Sequence, residues 1–334
     1  MAQHGGTTNL ERQIRSQPDE LERVLTDPRV RQQVHAAAEG LHRVRRIWVV
    51  GTGTSQHAAH LGAAMLQDAG RSAHAVSSMQ FVRHAPIVGP HDGVVVITHT
   101  GETAYALAAR ALAFQAGLQT FTICRRGLGL NDIVETVDKE TSETYTVSYT
   151  AALLVLAMIA AQMGADALTG DKLALVPGSV RNAIEAPGIE GIVRPERIVT
   201  IAGAGMAAIT AREGALKVRE AARQLAEGHD AEYLLHGSAV PLGPQDHLLA
   251  LITPDDDGFV RAVAAAAAAE GIPTTTLAEP APLPTVLAQI PLTVRLQLLA
   301  LRFTTERGQD PDKVIVGHWD DTGLWSIGAP PGAA

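Results

Sequence analysis

The chain has 334 residues, of which 46% are hydrophobic, so it is long enough to form about two domains with buried cores. Its net charge of −8 excludes a general attraction to nucleic acids or anionic membranes, although a local pocket for a small anion is compatible with it. The single cysteine, Cys124, has no partner in the chain for a disulfide, and we interpret it as a buried core thiol.

The N-terminal residues are polar and contain no apolar signal region. The longest apolar run, from Ala151 to Ala161, is well short of the roughly 20 residues that span a bilayer. We therefore expect a cytoplasmic protein that has neither membrane nor nucleic-acid partners.

Residues 9–45 have a charged, helical pattern in which Pro18 and Pro28 are typical of helix starts. Beyond them, short β-branched runs alternate with helical patterns, and this alternation predicts a parallel sheet flanked by helices. The predicted strands of this part of the chain are residues 46–50, 93–97 and 120–124.

The same alternation of predicted strands and helices returns after a connection rich in glycine and proline. Gly51 and Thr98, which follow the first two predicted strands, are 47 residues apart, and Gly203 and Pro254 in the second half are 51 apart. We therefore predict an internal duplication that produces two α/β halves. The predicted strands of the second half are residues 197–201, 247–252 and 274–277.

Two turns in the first half carry hydroxyl groups where predicted strands end. In a parallel sheet these ends meet the N-termini of the following helices, which attract anions, and glycines such as Gly53 let the backbone approach an anion closely. The alternative is that the hydroxyls only cap helices. Because both turns lie in the same half, we favour a phosphate site, and its candidate residues are Thr52, Gly53, Thr54, Ser55, Thr98, Thr100 and Thr103.

The corresponding turns of the second half lack these hydroxyls. One of them contains three consecutive aspartates, residues 255–257, which would repel a phosphate. The sequence therefore predicts one phosphate site per chain.

A charged triplet in the second half has helical spacing. Glu213, Lys217 and Glu220 lie at i, i+4 and i+7 and share one face of a helix. The alternative interpretation is a solvated row of salt bridges. His236 favours a catalytic role, because an imidazole near a carboxylate base suits proton transfer next to a carbonyl.

In several of these segments, the chain resembles the sugar isomerase (SIS) domain family. The likeness is to the double-SIS isomerase module of glucosamine-6-phosphate synthase and to stand-alone aminosugar-phosphate deaminases and fructosamine-type deglycases. It covers nearly the whole chain, and the string from Glu213 to Glu220 followed by His236-Gly237 is its most specific part. The other matching segments are Gly53 to Ser55, Gly101 to Thr103 and Glu143 to Ser148.

The resemblance implies two tandem SIS-type domains. They are the first, phosphate-binding domain at residues 36–175 and the second domain with its C-terminal tail at residues 185–334, preceded by a helical segment at residues 1–35. The family pattern also implies roles for particular residues. Ser55, Thr98, His99, Thr100 and Thr103 would hold the sugar phosphate, with His99 in place of the family's usual glutamine.

The resemblance further implies that the backbone near Val147 and Ser148 faces the sugar. Glu220 would be the base that moves a proton between C1 and C2. His236 would assist ring opening and would be offered by the neighbouring subunit, so a homodimer is implied. No cofactor or metal is expected.

Two departures from the family pattern stand out. The N-terminal glutaminase domain of the synthase is absent from this sequence. The C-terminal tail has valine near the position of the family's imine-forming lysine, so Lys313 and Lys217 are the candidates for that role.

The function implied is that of a phosphosugar isomerase or aminosugar-phosphate deaminase acting on an amino-sugar 6-phosphate or a related sugar phosphate. The main alternative is a sugar-phosphate sensor that does not convert its ligand. A second alternative is a dinucleotide enzyme, because Gly203 to Ala208 fits a loose Gly-x-Gly-x-x-Ala pattern after a strand. His57 and His60 could be metal ligands, but we interpret them as ordinary helix residues.

Overall fold

The computed structural model describes residues 7–84, 86, 88–279 and 282–330, and within them two parallel sheets divide the chain into two halves. The first sheet has the order β2-β1-β3-β4-β5 and the second the order β7-β6-β8-β9. The strands are β1 (Arg46–Gly51), β2 (Ser72–Ser77), β3 (Asp92–Ile97), β4 (Gln119–Cys124), β5 (Ile133–Glu135), β6 (Ile198–Gly203), β7 (Leu225–Asp230), β8 (His247–Ile252) and β9 (Thr274–Ala278).

Helices flank both sheets. Those of the first half are α1 (Asn9–Thr26), α2 (Pro28–His42), α3 (Thr54–Asp68), α4 (Ser78–Arg83), α5 (Ala104–Gln115), α6 (Val147–Gln162), α7 (Gly170–Ala174) and α8 (Val176–Glu185). Those of the second half are α9 (Met206–Ala222), α10 (Ala231–Tyr233), α11 (Phe259–Ala269), α12 (Thr285–Arg307) and α13 (Thr322–Ile327). A π-helical turn spans Leu234–Ser238, and a short 3₁₀ helix spans Gly317–Asp320.

The α/β class and the two parallel sheets agree with the sequence-based expectation, and each predicted strand is present within a residue or two. Three strands were not predicted. In β2 and β7 only the second residue is buried, so neither strand has the apolar run that marks a buried strand. The third, β5, has only three residues.

The duplication extends to the conformation of single residues. Gly53 and Gly205 precede α3 and α9 with φ of 56° and 55°, a region that L side chains rarely adopt. Farther along the same helices, Gly62 and Gly214 each allow a neighbouring helix to approach closely. A Cβ atom would lie 2.7 Å from a side-chain atom of Leu156 at Gly62, and 2.4 Å from one of Leu296 at Gly214.

The two halves share one hydrophobic core. The helices α6 and α12 occupy equivalent places against α3 and α9, and both are buried over most of their length. By length and composition alone α12 could cross a membrane, but its apolar side chains are covered by α1, α8 and α9. Its apolar character is therefore explained by its place in the core.

The two predicted helix-start prolines have different positions. Pro28 is at the start of α2, as expected, whereas the expectation for Pro18 was wrong because it lies inside α1. A proline cannot donate to the carbonyl four residues earlier. The side-chain amide of Gln17 donates to that carbonyl, Ile14 O, at 3.1 Å, so α1 continues through the proline.

Candidate active site

The two hydroxyl-bearing turns of the first half lie side by side. They follow β1 and β3, which pair in parallel, so both turns are at the carboxyl edge of the sheet. They line one cavity of about 330 Å³, a size typical of small-molecule sites. The cavity residues from these turns are Thr52, Gly53, Thr54, Ser55, His99, Thr100 and Thr103.

The hydroxyls of these turns do not cap the helices that follow. The N-cap of α3 is Gly53, and the N-cap of α5 is Thr103, whose side chain makes no capping hydrogen bond. Thr100 Oγ1 accepts from the backbone N–H of Glu102 at 3.1 Å, which leaves its own O–H proton available to a ligand. The geometry therefore favours anion binding over capping as the use of these side chains.

His99 lines this cavity, and its ring has a defined tautomer. Its Nε2 accepts from the backbone N–H of Glu140 at 3.1 Å, so the ring proton must be on Nδ1. That Nδ1 is buried and has no hydrogen-bond partner among the described residues. Burial, helped by the nearby charges of Arg125 and Lys139, lowers the pKa of His99 to about 4, so the ring is neutral at neutral pH.

The segment before α6 forms another wall. Glu140 is buried, and its carboxylate accepts from the backbone N–H groups of Thr146, at 3.0 and 3.1 Å, and of Ser148, at 2.8 Å. Burial raises the pKa of Glu140 although these bonds oppose the rise. The bonds hold the start of α6 so that Tyr145, Ser148 and Tyr149 line the cavity.

The second half contributes Glu220, which lines the same cavity from α9. Its carboxylate is 20% exposed, and its Oε2 lies 2.5 Å from Nζ of Lys217. Lys217 Nζ also donates to Thr54 Oγ1 at 3.0 Å and lies 3.4 Å from Oε1 of Glu213. The side chains of Lys217 and Glu213 are both fully buried. The predicted triplet thus forms one cluster, and it is not a solvated row of salt bridges.

The protonation of the cluster follows from burial and charge. Burial raises the pKa of Glu220, and the attraction of Lys217 only partly offsets this. Burial favours the protonated form of Glu213 too, but Lys217 and His57 outweigh it and lower the pKa of that carboxyl. For Lys217, burial lowers the pKa, and the two carboxylates reverse this and raise it. Lys217 is therefore an ammonium held between Glu213 and Glu220.

Four other predicted residues lie elsewhere. Thr98 and Val147 are buried and do not line the cavity. His236 lies in the π-helical turn with a side chain 67% exposed, and its Nε2 is 3.0 Å from Oε1 of Glu232. Lys313 is exposed in the C-terminal tail, and its carbonyl accepts from the Arg223 side chain at 3.2 Å.

The C-terminal tail supplies a cavity residue that the sequence did not predict. Trp325, on α13, lines the cavity while 61% of its surface remains exposed, so it lies at the mouth. Its Nε1 donates to the carbonyl of Trp319 at 2.7 Å. The tail is anchored beside the cavity, because Glu143 accepts from the backbone N–H groups of Val314 and Ile315 at 2.7 and 3.1 Å.

His57 also differs from its predicted role as an ordinary helix residue. Its Nδ1 lies 2.6 Å from Oε2 of Glu213, so it joins the charged cluster from the first half. Within the residues that the structure describes, no group of three or more His, Cys, Asp or Glu side chains could hold a metal ion.

By sequence, parts of the chain are similar to a known domain family and to known enzymes. Residues 40–161 match the SIS domain model. The chain is 28% identical over 319 residues to a glutamine–fructose-6-phosphate aminotransferase (isomerizing) of Thermococcus kodakarensis, which covers 85% of the chain and 53% of that protein. It is 27% identical over 250 residues to the enzyme of that name from Chlorobaculum tepidum, covering 67% of the chain and 39% of that protein. The chain thus spans only about half or less of the length of these relatives.

Solved structures share the fold over nearly the whole chain. The tagatose-6-phosphate ketose/aldose isomerase of Escherichia coli has a TM-score of 0.79 at 19% identity, covering 95% of this chain and 98% of that one. The C-terminal domain of the glucosamine-fructose-6-phosphate aminotransferase of Francisella tularensis has a TM-score of 0.76 at 20% identity, covering 94% and 100%. The glucosamine-6-phosphate deaminase of Thermotoga maritima has a TM-score of 0.77 at 17% identity, covering 92% and 97%.

Residues 40–161 therefore match a SIS domain, and the chain as a whole shares its two-half fold with these solved structures.

Proposed function

We propose that this protein is an aldose–ketose isomerase or deaminase that acts on an amino-sugar 6-phosphate or a related sugar phosphate by moving a proton between C1 and C2. One observation carries the proposal. The hydroxyl-bearing turns of the first half and the carboxylate of Glu220 from the second half line the same cavity. Anion-binding groups and a base are thus within one small ligand's reach of each other.

In this mechanism the phosphate binds between the turns after β1 and β3. Neutral His99 forms part of the cavity wall, and Ser55, Thr100 and Thr103 offer hydroxyl donors. Three groups of this kind can hold a phosphate without a metal or an arginine, because donors aimed at an anion form strong hydrogen bonds. Phosphate binding fixes the sugar carbons relative to the rest of the cavity.

Glu220 then acts as the base. Its carboxylate removes the proton from one of the two carbons, and the resulting enediol or enolamine takes the proton back on the other. The raised pKa of Glu220 suits this role, since a base works best when its pKa is close to the working pH. Lys217, held as an ammonium between two carboxylates, acts electrostatically in this scheme, because an imine-forming amine must first lose its proton.

The decisive test is hydrogen exchange with solvent. We expect the protein to introduce deuterium at C2 of a hexose or hexosamine 6-phosphate in heavy water, which NMR detects directly. Binding without any exchange, for every phosphosugar tested, would instead identify a sensor.

Phosphate recognition by the two turns can be tested separately. Ser55→Ala and Thr100→Val are each expected to weaken binding of the sugar phosphate roughly 10- to 100-fold, because each removes a hydrogen bond to a charged group. Calorimetry with hexose 6-phosphates, inorganic phosphate and unphosphorylated hexoses measures this. Thr305→Val, on the exposed end of α12, is the matched control. Equal stabilisation of the wild-type protein by phosphorylated and unphosphorylated sugars would contradict the proposed site.

The proposed catalytic unit is a homodimer in which His236 of one subunit completes the site of the other. His236 does not line the cavity of its own chain, and the same short segment carries the exposed apolar side chains of Tyr233, Leu235 and Val240. Exposed apolar residues that cluster in this way are typical of subunit interfaces.

Mixing two inactive variants tests this arrangement. A heterodimer of Glu220→Gln and His236→Ala subunits has one site in which both residues are intact, so random pairing should restore about a quarter of the wild-type activity. Each variant alone should remain inactive. If the mixture stays inactive while chromatography confirms exchange of subunits, His236 does not act across the interface.

A further inference from the structure

His57 links the two halves of the protein at the charged cluster. It lies on α3 of the first half, and its side chain is 19% exposed, whereas the Glu213 carboxylate that it contacts on α9 is fully buried. The contact between His57 Nδ1 and Glu213 Oε2 is 2.6 Å long. A carboxylate accepts only, so Nδ1 is the donor in either charge state of the ring.

Glu213 divides its two oxygens between different donors. Oε2 accepts the hydrogen bond from His57 Nδ1, while Oε1 accepts from the Thr54 hydroxyl at 3.2 Å and faces Lys217 Nζ at 3.4 Å. Lys217 Nζ makes its shorter contact, 2.5 Å, with Glu220. The ammonium therefore lies closer to the carboxylate that lines the cavity than to the one that does not.

Lys217 can lie closer to Glu220 only if Glu213 has enough other hydrogen-bond donors. A fully buried carboxylate that loses a donor must find another, because an unsatisfied buried charge costs several kcal/mol. Among the described residues the other donors at Glu213 are Thr54, which already donates to Oε1, and Lys217, whose Nζ lies 3.4 Å away. When the hydrogen bond from His57 is removed, we expect Lys217 to move toward Glu213 and away from Glu220.

We propose that His57 is a positioning residue for the base: by donating to Glu213, it determines how Lys217 is shared between Glu213 and Glu220. The inference rests on the proposed function for its catalytic meaning, but the sharing of Lys217 can be measured without turnover. It assigns a role in this reaction to a residue that never touches the cavity.

The pKa of Glu220 depends on how Lys217 is shared between Glu213 and Glu220. The charged and titratable groups around the cluster are those of Glu213, Lys217 and Arg219 on α9, and those of Glu140 and Tyr145 before α6. Of these, Lys217 makes the strongest favourable contact with the Glu220 carboxylate. Weakening that contact must therefore raise the pKa of Glu220 further above its usual value.

The experiment follows the side-chain carboxyl carbon of Glu220 by NMR in protein labelled with ¹³C-glutamate. The signal is assigned by its loss in Glu220→Gln. His57→Ala is expected to move the titration of Glu220 up by about one pH unit, as for a carboxylate that loses an opposite charge at hydrogen-bond distance. His57→Asn keeps an N–H donor at the position of Nδ1 and should titrate close to wild type.

His60→Ala is the matched control, because His60 lies one turn farther along α3 and, among the described residues, forms no hydrogen bond or ion pair with Glu213. An unchanged Glu220 titration in His57→Ala, with only a lower melting temperature, would show that the contact is merely structural. The proposal also fails if His57→Asn shifts the titration as far as His57→Ala. The acid limb of kcat/KM should move with the NMR titration. If no substrate is turned over, the proposed function fails while the NMR result still decides the role of His57.

Discussion

Glu220→Gln is expected to lower kcat for the sugar-phosphate reaction by about 10²- to 10⁴-fold, the usual contribution of a general base. Glutamine has the same shape but cannot accept the proton. Binding of the phosphosugar should remain close to wild type, because the proposed phosphate contacts come from the turns of the first half. Deuterium exchange and calorimetry on the same preparation measure the two effects separately.

The matched control for this variant is Glu270→Gln, an exposed carboxylate at the end of α11. It should change neither binding nor turnover. Wild-type exchange rates in Glu220→Gln would remove Glu220 from the mechanism. In the wild-type enzyme, kcat/KM should rise with pH through an acid limb above the ordinary range of glutamate, since burial raises the pKa of Glu220 and only its ionised form is a base.

Lys217→Met is expected to be the most destabilising of the substitutions considered, by about 3–5 kcal/mol in the free energy of unfolding. It removes the cation between Glu213, which is fully buried, and Glu220. The two carboxylates then lie close together with no positive charge between them. Urea denaturation measures the loss, and Lys217→Met combined with Glu213→Gln should recover part of it, because the second change removes one of the unpaired charges.

The loss of unfolding free energy caused by Lys217→Met should also depend on pH. In the wild-type protein the pKa of Glu213 is lowered, so its contribution to stability is present above the unfolded-state pKa and is lost as the pH falls. Without Lys217 the carboxylates prefer their protons, and the variant should approach wild-type stability as the pH is lowered. Lys139→Met, which breaks an exposed pair with Glu102, should cost at most about 1 kcal/mol. An equally small loss in Lys217→Met would contradict the buried-cluster interpretation.

Much of the fold could be predicted from local pattern. The buried strands β1, β3, β4, β6, β8 and β9 are short apolar or β-branched runs, and the glycines after β1 and β6 mark equivalent turns. The edge strands β2 and β7 escaped prediction because a half-exposed strand needs no apolar run. Pro18 was misread because the side chain of Gln17 replaces the hydrogen bond that the proline cannot make.

The candidate site was predictable where neighbours in sequence are neighbours in space. Glu213, Lys217 and Glu220 share a helix face, and each hydroxyl-bearing turn is continuous in sequence, so both groups could be recognised before the structure was known. The roles of His236 and Lys313, the domain boundaries and the cytoplasmic location stay predictions. Trp325 and His57 carried no local signal, because the residues that they meet are far away in the chain.

The amino-acid sequence by itself determined the α/β class, the duplication, the two hydroxyl-bearing turns and the helix face that carries Glu213, Lys217 and Glu220. These depend on periodicity and on the chemistry of adjacent residues, which a single segment contains. Only the tertiary structure decided that both turns and Glu220 line one cavity, that Lys217 is buried between two carboxylates, and that His57 reaches Glu213 from the other half. Those contacts arise from the packing of α3 against α9 around a common core, and no local sequence pattern encodes the distance between two helices.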